Sequence, residues 1–131
     1  MDDPVGRVES SVSAPGLLVR LPIRVRSEGN QREHHFAVHE RKKRQKGSTK
    51  LVFGAHLAQR PDLKPPFVVT LTRVGLRTMD DDNVAFAFKA IRDQIAECLG
   101  IDDGDVARLR FRYGQRLAKE YAVEILVESL S

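Results

Sequence analysis

One apolar stripe constrains this chain more than any other feature. Val84, Phe88, Ile91, Ile95 and Leu99 recur at intervals of four, three, four and four, which places all five on one face of a helix that must be buried against another layer. Asp81 or Asp82 can cap this helix, and Gly100 stops it. Around it lie segments of period two. Leu17, Val19, Leu21, Ile23 and Val25 alternate with Arg20, Pro22, Arg24 and Arg26, the pattern of a half-buried strand, and Pro22 places that strand at a sheet edge because it cannot donate to a ladder. FVVTLT from Phe67 reads as a buried strand. Arg108–Tyr113 alternates strictly and Tyr121–Val127 nearly so, which predicts the two strands of a terminal hairpin.

A second helix opens at a capping box, Asn30 with Glu33, and runs through EHHFAVHERKKRQK. After Val38 it has no large apolar residue until Leu51, so this half is expected to be too polar for the core, with Gly47-Ser48 breaking it before a shorter apolar turn from Leu51 to Leu57. The order is βα-βα-ββ. It predicts an α+β fold: a small single domain with a mixed sheet of about four strands and two main helices, mainly on one face. At 131 residues one domain is expected, spanning residues 16–131, with residues 1–15, which lack periodicity, as a flexible tail.

Cys98 is the only cysteine. It excludes a disulfide framework or a multi-cysteine zinc site, points to a reducing cytoplasmic compartment, and is expected to pack in the core. The start, Met1-Asp2-Asp3-Pro4, is acidic and lacks an apolar run, so no signal peptide is expected there. No stretch approaches about 18 uninterrupted apolar residues, so no membrane span is expected either.

The net charge of +4 conceals a segregation. From Arg20 to Lys50 ten Lys and Arg face three acids, a net of +7, whereas from Asp80 to Asp105 eight acids face Lys89 and Arg92, a net of −6. A polyanion held by the first region would be repelled by the second. A divalent cation among the carboxylates resolves that conflict.

The carboxylates concentrate in Asp80-Asp81-Asp82-Asn83 at the start of the striped helix and in Asp102-Asp103 after its end. At i and i+2 of an extended segment, Asp80 and Asp82 point the same way and can share an oxygen-lined pocket; a third carboxylate must come from elsewhere, and the segment after Gly100 is placed to supply it. Grouped carboxylates raise one another's pKa unless a cation neutralises them, and Mg²⁺ or Mn²⁺ suits such hard oxygen donors. The loop from Asp80 lacks the glycine at its sixth position and the closing glutamate of an EF-hand. A solvated acidic cap on a helix is the simpler alternative for this run.

The run DDDNVAFAFKAIRDQIAECLGIDDGD, Asp80 to Asp105, resembles the RusA-like Holliday junction resolvases, whose signature is D-x-D-N, a helix with K-x-x-x-D, and a D-D pair. Here the elements are Asp80-Asp81-Asp82-Asn83, Lys89 with Asp93, and Asp102-Asp103. The resemblance reaches back to an N-x-R-x-H element, Asn30 to His34, and the basic run after it, about 100 residues in all. It implies a Mg²⁺-dependent endodeoxyribonuclease that resolves four-way DNA junctions by paired nicks, acts as a homodimer on branched DNA, and works in the cytoplasm of a bacterial or phage-infected cell. It also implies that Asp80, Asp82 and Asp103 are metal ligands with Asp102 beside them, and that Lys89 is the essential lysine. In the family's best-known form that lysine lies three residues after the asparagine, where this chain has Phe86; Lys89 lies six after. On one continuous helix Asp82, Phe86, Lys89 and Asp93 share a face, with Lys89 about 10 Å along the axis from Asp82.

Arg32, His34, Arg41, Lys42, Lys43, Arg44 and Lys46 are the expected DNA-backbone contacts, against the alternative of a solvated basic face. His35 and His39, at i and i+4, lack a matching third ligand for a transition metal. Arg108, Arg110 and Arg112 form one strand face that either tracks phosphates or is simply exposed. Two functions compete: the metal-dependent nuclease, and a non-catalytic nucleic-acid-binding protein of the same fold with a vestigial metal site.

Overall fold

The computed structural model describes residues 16–26 and 35–130; the expected tail, the Asn30–Glu33 capping box, Arg32 and His34 lie outside them. The chain is an α+β domain with elements β1 (Gly16–Leu21), α1 (His35–Ala58), β2 (Phe67–Gly75), α2 (Asp81–Ala87), α3 (Lys89–Leu99), β3 (Leu109–Leu117) and β4 (Ala122–Ser129). Four strands form one mixed sheet in the order β1-β4-β2-β3. Inward residues Val19, Leu21, Val69, Leu71, Ile125 and Val127 meet Phe53 of α1, Val84 of α2 and Ile91 and Ile95 of α3 in a single core. Among the described residues no helix is long and apolar enough to cross a membrane.

The strand expected from Leu17 to Arg26 lies at the sheet edge, as Pro22 predicts, but it stops at Leu21 before that proline, which cannot donate to a ladder. The terminal hairpin is not formed. β3 pairs in parallel with β2, while β4 lies antiparallel between β1 and β2. The physical reason is burial. β4 carries Val123, Ile125 and Val127, all fully buried, and takes a central place, whereas β3 exposes Arg110, Arg112 and Arg116 and takes an edge. The connection passes over the end of β2, where the Ala118 amide donates to the Gly75 carbonyl at 2.8 Å. Space at Gly75 is tight, because a Cβ would lie 3.1 Å from two carbons of the Tyr121 ring and 3.3 Å from Arg73 Nη1. Gly75→Ala is expected to destabilise the fold by about 1–3 kcal/mol, the range for overpacking a well-filled site; an unchanged urea midpoint would show that Tyr121 yields freely.

Helix α1 runs unbroken through Gly47-Ser48. Its middle is not excluded from the core: Arg41, Gln45 and Thr49 are buried and continue at i+4 to Phe53, and the Thr49 hydroxyl donates to the Gln45 carbonyl at 2.7 Å. The inward face is simply polar, so apolar periodicity does not register it.

The striped helix is two helices. Phe88, at φ −87° and ψ 0°, ends α2 and begins α3. Its amide is shared between the Val84 and Ala85 carbonyls at 3.2 and 3.3 Å, and its ring is fully buried and stacked on Tyr113 with centroids 6.1 Å apart. The stripe survives this break because Val84, Phe88, Ile91 and Ile95 remain buried. At the far end Gly100 adopts φ 71° in a Schellman turn, with the Ile101 amide donating to Ala96 and the Gly100 amide to Glu97.

Candidate nucleic-acid interface

Asp80 is the N-cap of α2 by position, with φ −61° and ψ 146°, but its carboxylate makes no capping hydrogen bond. The helix begins at Asp81 rather than being capped by Asp81 or Asp82. Only Asp80 is therefore extended, and the alternation that would align it with Asp82 does not apply; in helical geometry residues two apart diverge. Both carboxylates are exposed.

The third and fourth carboxylates lie in the turn between α3 and β3 and already have partners. Asp102 Oδ1 accepts the Gly104 amide at 2.9 Å, closing a local turn. Asp103 Oδ2 accepts from Arg92 Nη2 at 3.4 Å. Arg92 also donates to the Tyr113 hydroxyl at 3.2 Å and lies 5.2 Å over the Phe111 ring. The Tyr113 hydroxyl, outweighing partial burial, and then the charges of Asp103 and Asp93 hold its guanidinium above the ordinary arginine pKa. In the same turn Asp105 accepts from Arg108 Nε at 2.7 Å, which keeps its carboxyl below the usual carboxylate range.

The donor types suit a hard divalent cation, but the arrangement does not gather them. Among the described residues no three His, Cys, Asp or Glu side chains stand close enough together to hold a metal ion. Asp80, Asp82, Asp102 and Asp103 thus do not fit one ion as a set in this arrangement, and a guanidinium stands at Asp103 where the family resemblance puts a metal.

The cationic side is better assembled. His39, Lys42, Lys43 and Lys46 of α1 face Lys89, Ala90 and Asp93 of α3 across a cleft of about 470 Å³. Lys89 pairs with Asp93 at 3.4 Å on the surface of α3, about two turns after the Asp80–Asp82 run. The rest of the expected basic contact set divides: Lys43, Arg44 and Lys46 are exposed and Lys42 is partly so, but Arg41 is buried at 7% exposure. Arg41 belongs to the inward face of α1 and is not part of the outer basic surface.

Sequence reasoning did not single out Arg92, Tyr113 or Gln45. The signal for Arg92 was its place one turn after Phe88 on the striped helix, which put a cation between Lys89 and the Asp102-Asp103 pair. No protein-family model matches the chain, and no curated protein matches it in sequence.

Proposed function

We propose that this protein is a Mg²⁺-dependent endodeoxyribonuclease that binds branched DNA and resolves four-way junctions by paired nicks. The observation that carries this reading is the lysine cleft. It joins the basic face of α1 to Lys89, within the same α2–α3 segment that bears Asp80 and Asp82. Lysines in such a slot bind backbone phosphates without reading sequence, and Lys89 is placed to offset negative charge at a phosphate drawn towards the carboxylates. A four-way junction has two-fold symmetry, which suits a C2 homodimer with one site per strand, in the cytoplasm where such DNA is met.

The test is direct. The purified chain is expected to nick four-way DNA with Mg²⁺ and to bind it without nicking in EDTA. The Arg92–Asp103 pair favours the second reading, a non-catalytic DNA-binding protein; that reading stands if junctions are bound and never cut with Mg²⁺ or Mn²⁺. Absence of any DNA binding would remove both.

Replacing Lys42 and Lys43 together by Ala is expected to weaken binding to all DNA sequences alike. Each phosphate contact contributes about −0.9 to the slope of log K against log salt on duplex DNA, so the slope should flatten by roughly 2 per protomer. Stability should change by no more than about 0.5 kcal/mol. Parallel salt titrations at equal affinity would take this cleft off the DNA surface.

A further inference from the structure

The turn from Ile101 to Leu109 answers its own negative charge. Both ends are fixed in the core: Ile101 and Leu109 are buried, the Ile101 amide donates to the Ala96 carbonyl at 3.1 Å, and the Leu109 amide to the Asp105 carbonyl at 2.9 Å. Between them the Asp105 amide donates to the Asp102 carbonyl at 3.0 Å. Each of the three carboxylates in the turn has a partner of its own: Asp102 accepts from the Gly104 amide, Asp105 from Arg108, and Asp103 from Arg92.

Arg92 is held from three sides. Nη1 donates to the Tyr113 hydroxyl at 3.2 Å, Nη2 to Asp103 Oδ2 at 3.4 Å, and the guanidinium lies 5.2 Å over the Phe111 ring. Tyr113 is in turn stacked on the buried Phe88 ring, and the Arg92 amide donates to the Phe88 carbonyl at 2.8 Å. A planar fork laid on one ring and hydrogen-bonded to another is pre-organised in a way that an ammonium on a flexible stem is not. A divalent ion arriving at Asp103 would meet this fixed positive charge. A unit charge acting through water on a divalent ion about 5 Å away changes its affinity about tenfold.

We propose that Arg92 is the resident counter-ion of Asp103 and takes the place of a divalent cation in this turn, so that Asp103 is not a metal ligand in this chain. The third ligand that the family resemblance implies is thereby replaced by an ion pair. Part of the conflict between the acidic and basic regions is resolved in the same way, by a side chain rather than by a bound ion. The assignment stands on the contacts of Arg92 and does not rest on the nuclease reading.

Mn²⁺ binding by the full-length chain, followed through the electron paramagnetic resonance signal of the free ion at constant ionic strength, tests it. Asp103→Asn is expected to bind Mn²⁺ within about twofold of wild type. Arg92→Gln should bind about tenfold more tightly, and Arg92→Gln/Asp103→Asn should return to the wild-type value, so that Asp103 matters to the ion only once Arg92 is gone. If wild type shows no measurable site, the same pattern reads as a site present in Arg92→Gln and removed by Asp103→Asn. Arg92→Lys keeps the charge and is expected to stay at wild-type affinity, whereas a merely structural role would make the two substitutions alike. Arg92→Met, which keeps the stem over Phe111, gives the same readout as Arg92→Gln should the latter fail to fold. A tenfold loss of Mn²⁺ affinity in Asp103→Asn alone would overturn the proposal, as would no gain in a folded chain without the Arg92 charge. Nicking of four-way DNA is read separately: its absence, with the Mn²⁺ pattern as expected, would remove the nuclease reading and uphold the role of Arg92.

Discussion

Asp82→Asn is expected to lower the rate of nicking of four-way DNA by about a thousandfold or more while leaving junction binding intact or tighter. Asp82 is exposed in the first turn of α2, so the substitution removes one charge and almost no volume. Its cost to stability is confined to a lost interaction with the helix N-terminus, about 0.5 kcal/mol. On the nuclease reading proposed above, loss of a reacting carboxylate would remove several kcal/mol of transition-state stabilisation. Binding, as proposed above, would draw on the lysine cleft, and one fewer negative charge reduces repulsion of phosphate. Gel shift and cleavage on one preparation decide the matter. Undiminished nicking would refute the role of Asp82, and joint loss of both activities in a folded variant would refute the division of labour between carboxylates and lysines.

Phe88→Ala is expected to destabilise the protein by about 3–5 kcal/mol, the range for truncating a buried aromatic ring. This is a large part of the roughly 5–15 kcal/mol that holds a domain together. Phe88 is at the junction of α2 and α3 and supports Tyr113, whose hydroxyl holds Arg92. The variant should therefore show a lower urea midpoint and a loosened Arg92–Asp103 contact together. A loss below about 1 kcal/mol would mean that the core closes over the vacated space.

The parts of this fold that were legible in sequence are those where one residue property has one structural meaning. Val84, Phe88, Ile91 and Ile95 are apolar at helical spacing and are buried; Leu17, Val19 and Leu21 alternate, and Pro22 ends an edge strand. What was illegible depended on partners. Alternation marks Leu109–Leu117 and Ala122–Ser129 as strands but does not say that they are separated by β2. Arg41, Gln45 and Thr49 face inward with polar side chains, so their burial leaves no apolar trace. The break at Phe88 hides inside an uninterrupted stripe. At the candidate site, the Asp80/Asp82 spacing was informative only while both were taken as extended, and the start of α2 at Asp81 removes that premise. The attachment of Asp103 to Arg92 depends on how the turn after Gly100 folds back along α3, a tertiary relation that spacing does not encode.

The position of β4 has a consequence for how the chain comes to be folded. Among the described residues β1 has β4 as its only neighbour in the sheet, and β4 is also the strand that joins β1 to β2. As the nascent chain leaves the ribosome, Gly16–Leu21 is among the first described segments to emerge, and it has nothing to pair with until Ala122–Ser129 follows. Closure of the sheet must then draw together segments more than 100 residues apart, a contact of high sequence separation that slows folding. Until that closure the apolar faces of β1 and β2 are uncovered along the edges where β4 will insert, which makes the interval before β4 emerges the one of greatest exposure to aggregation and to chaperone capture.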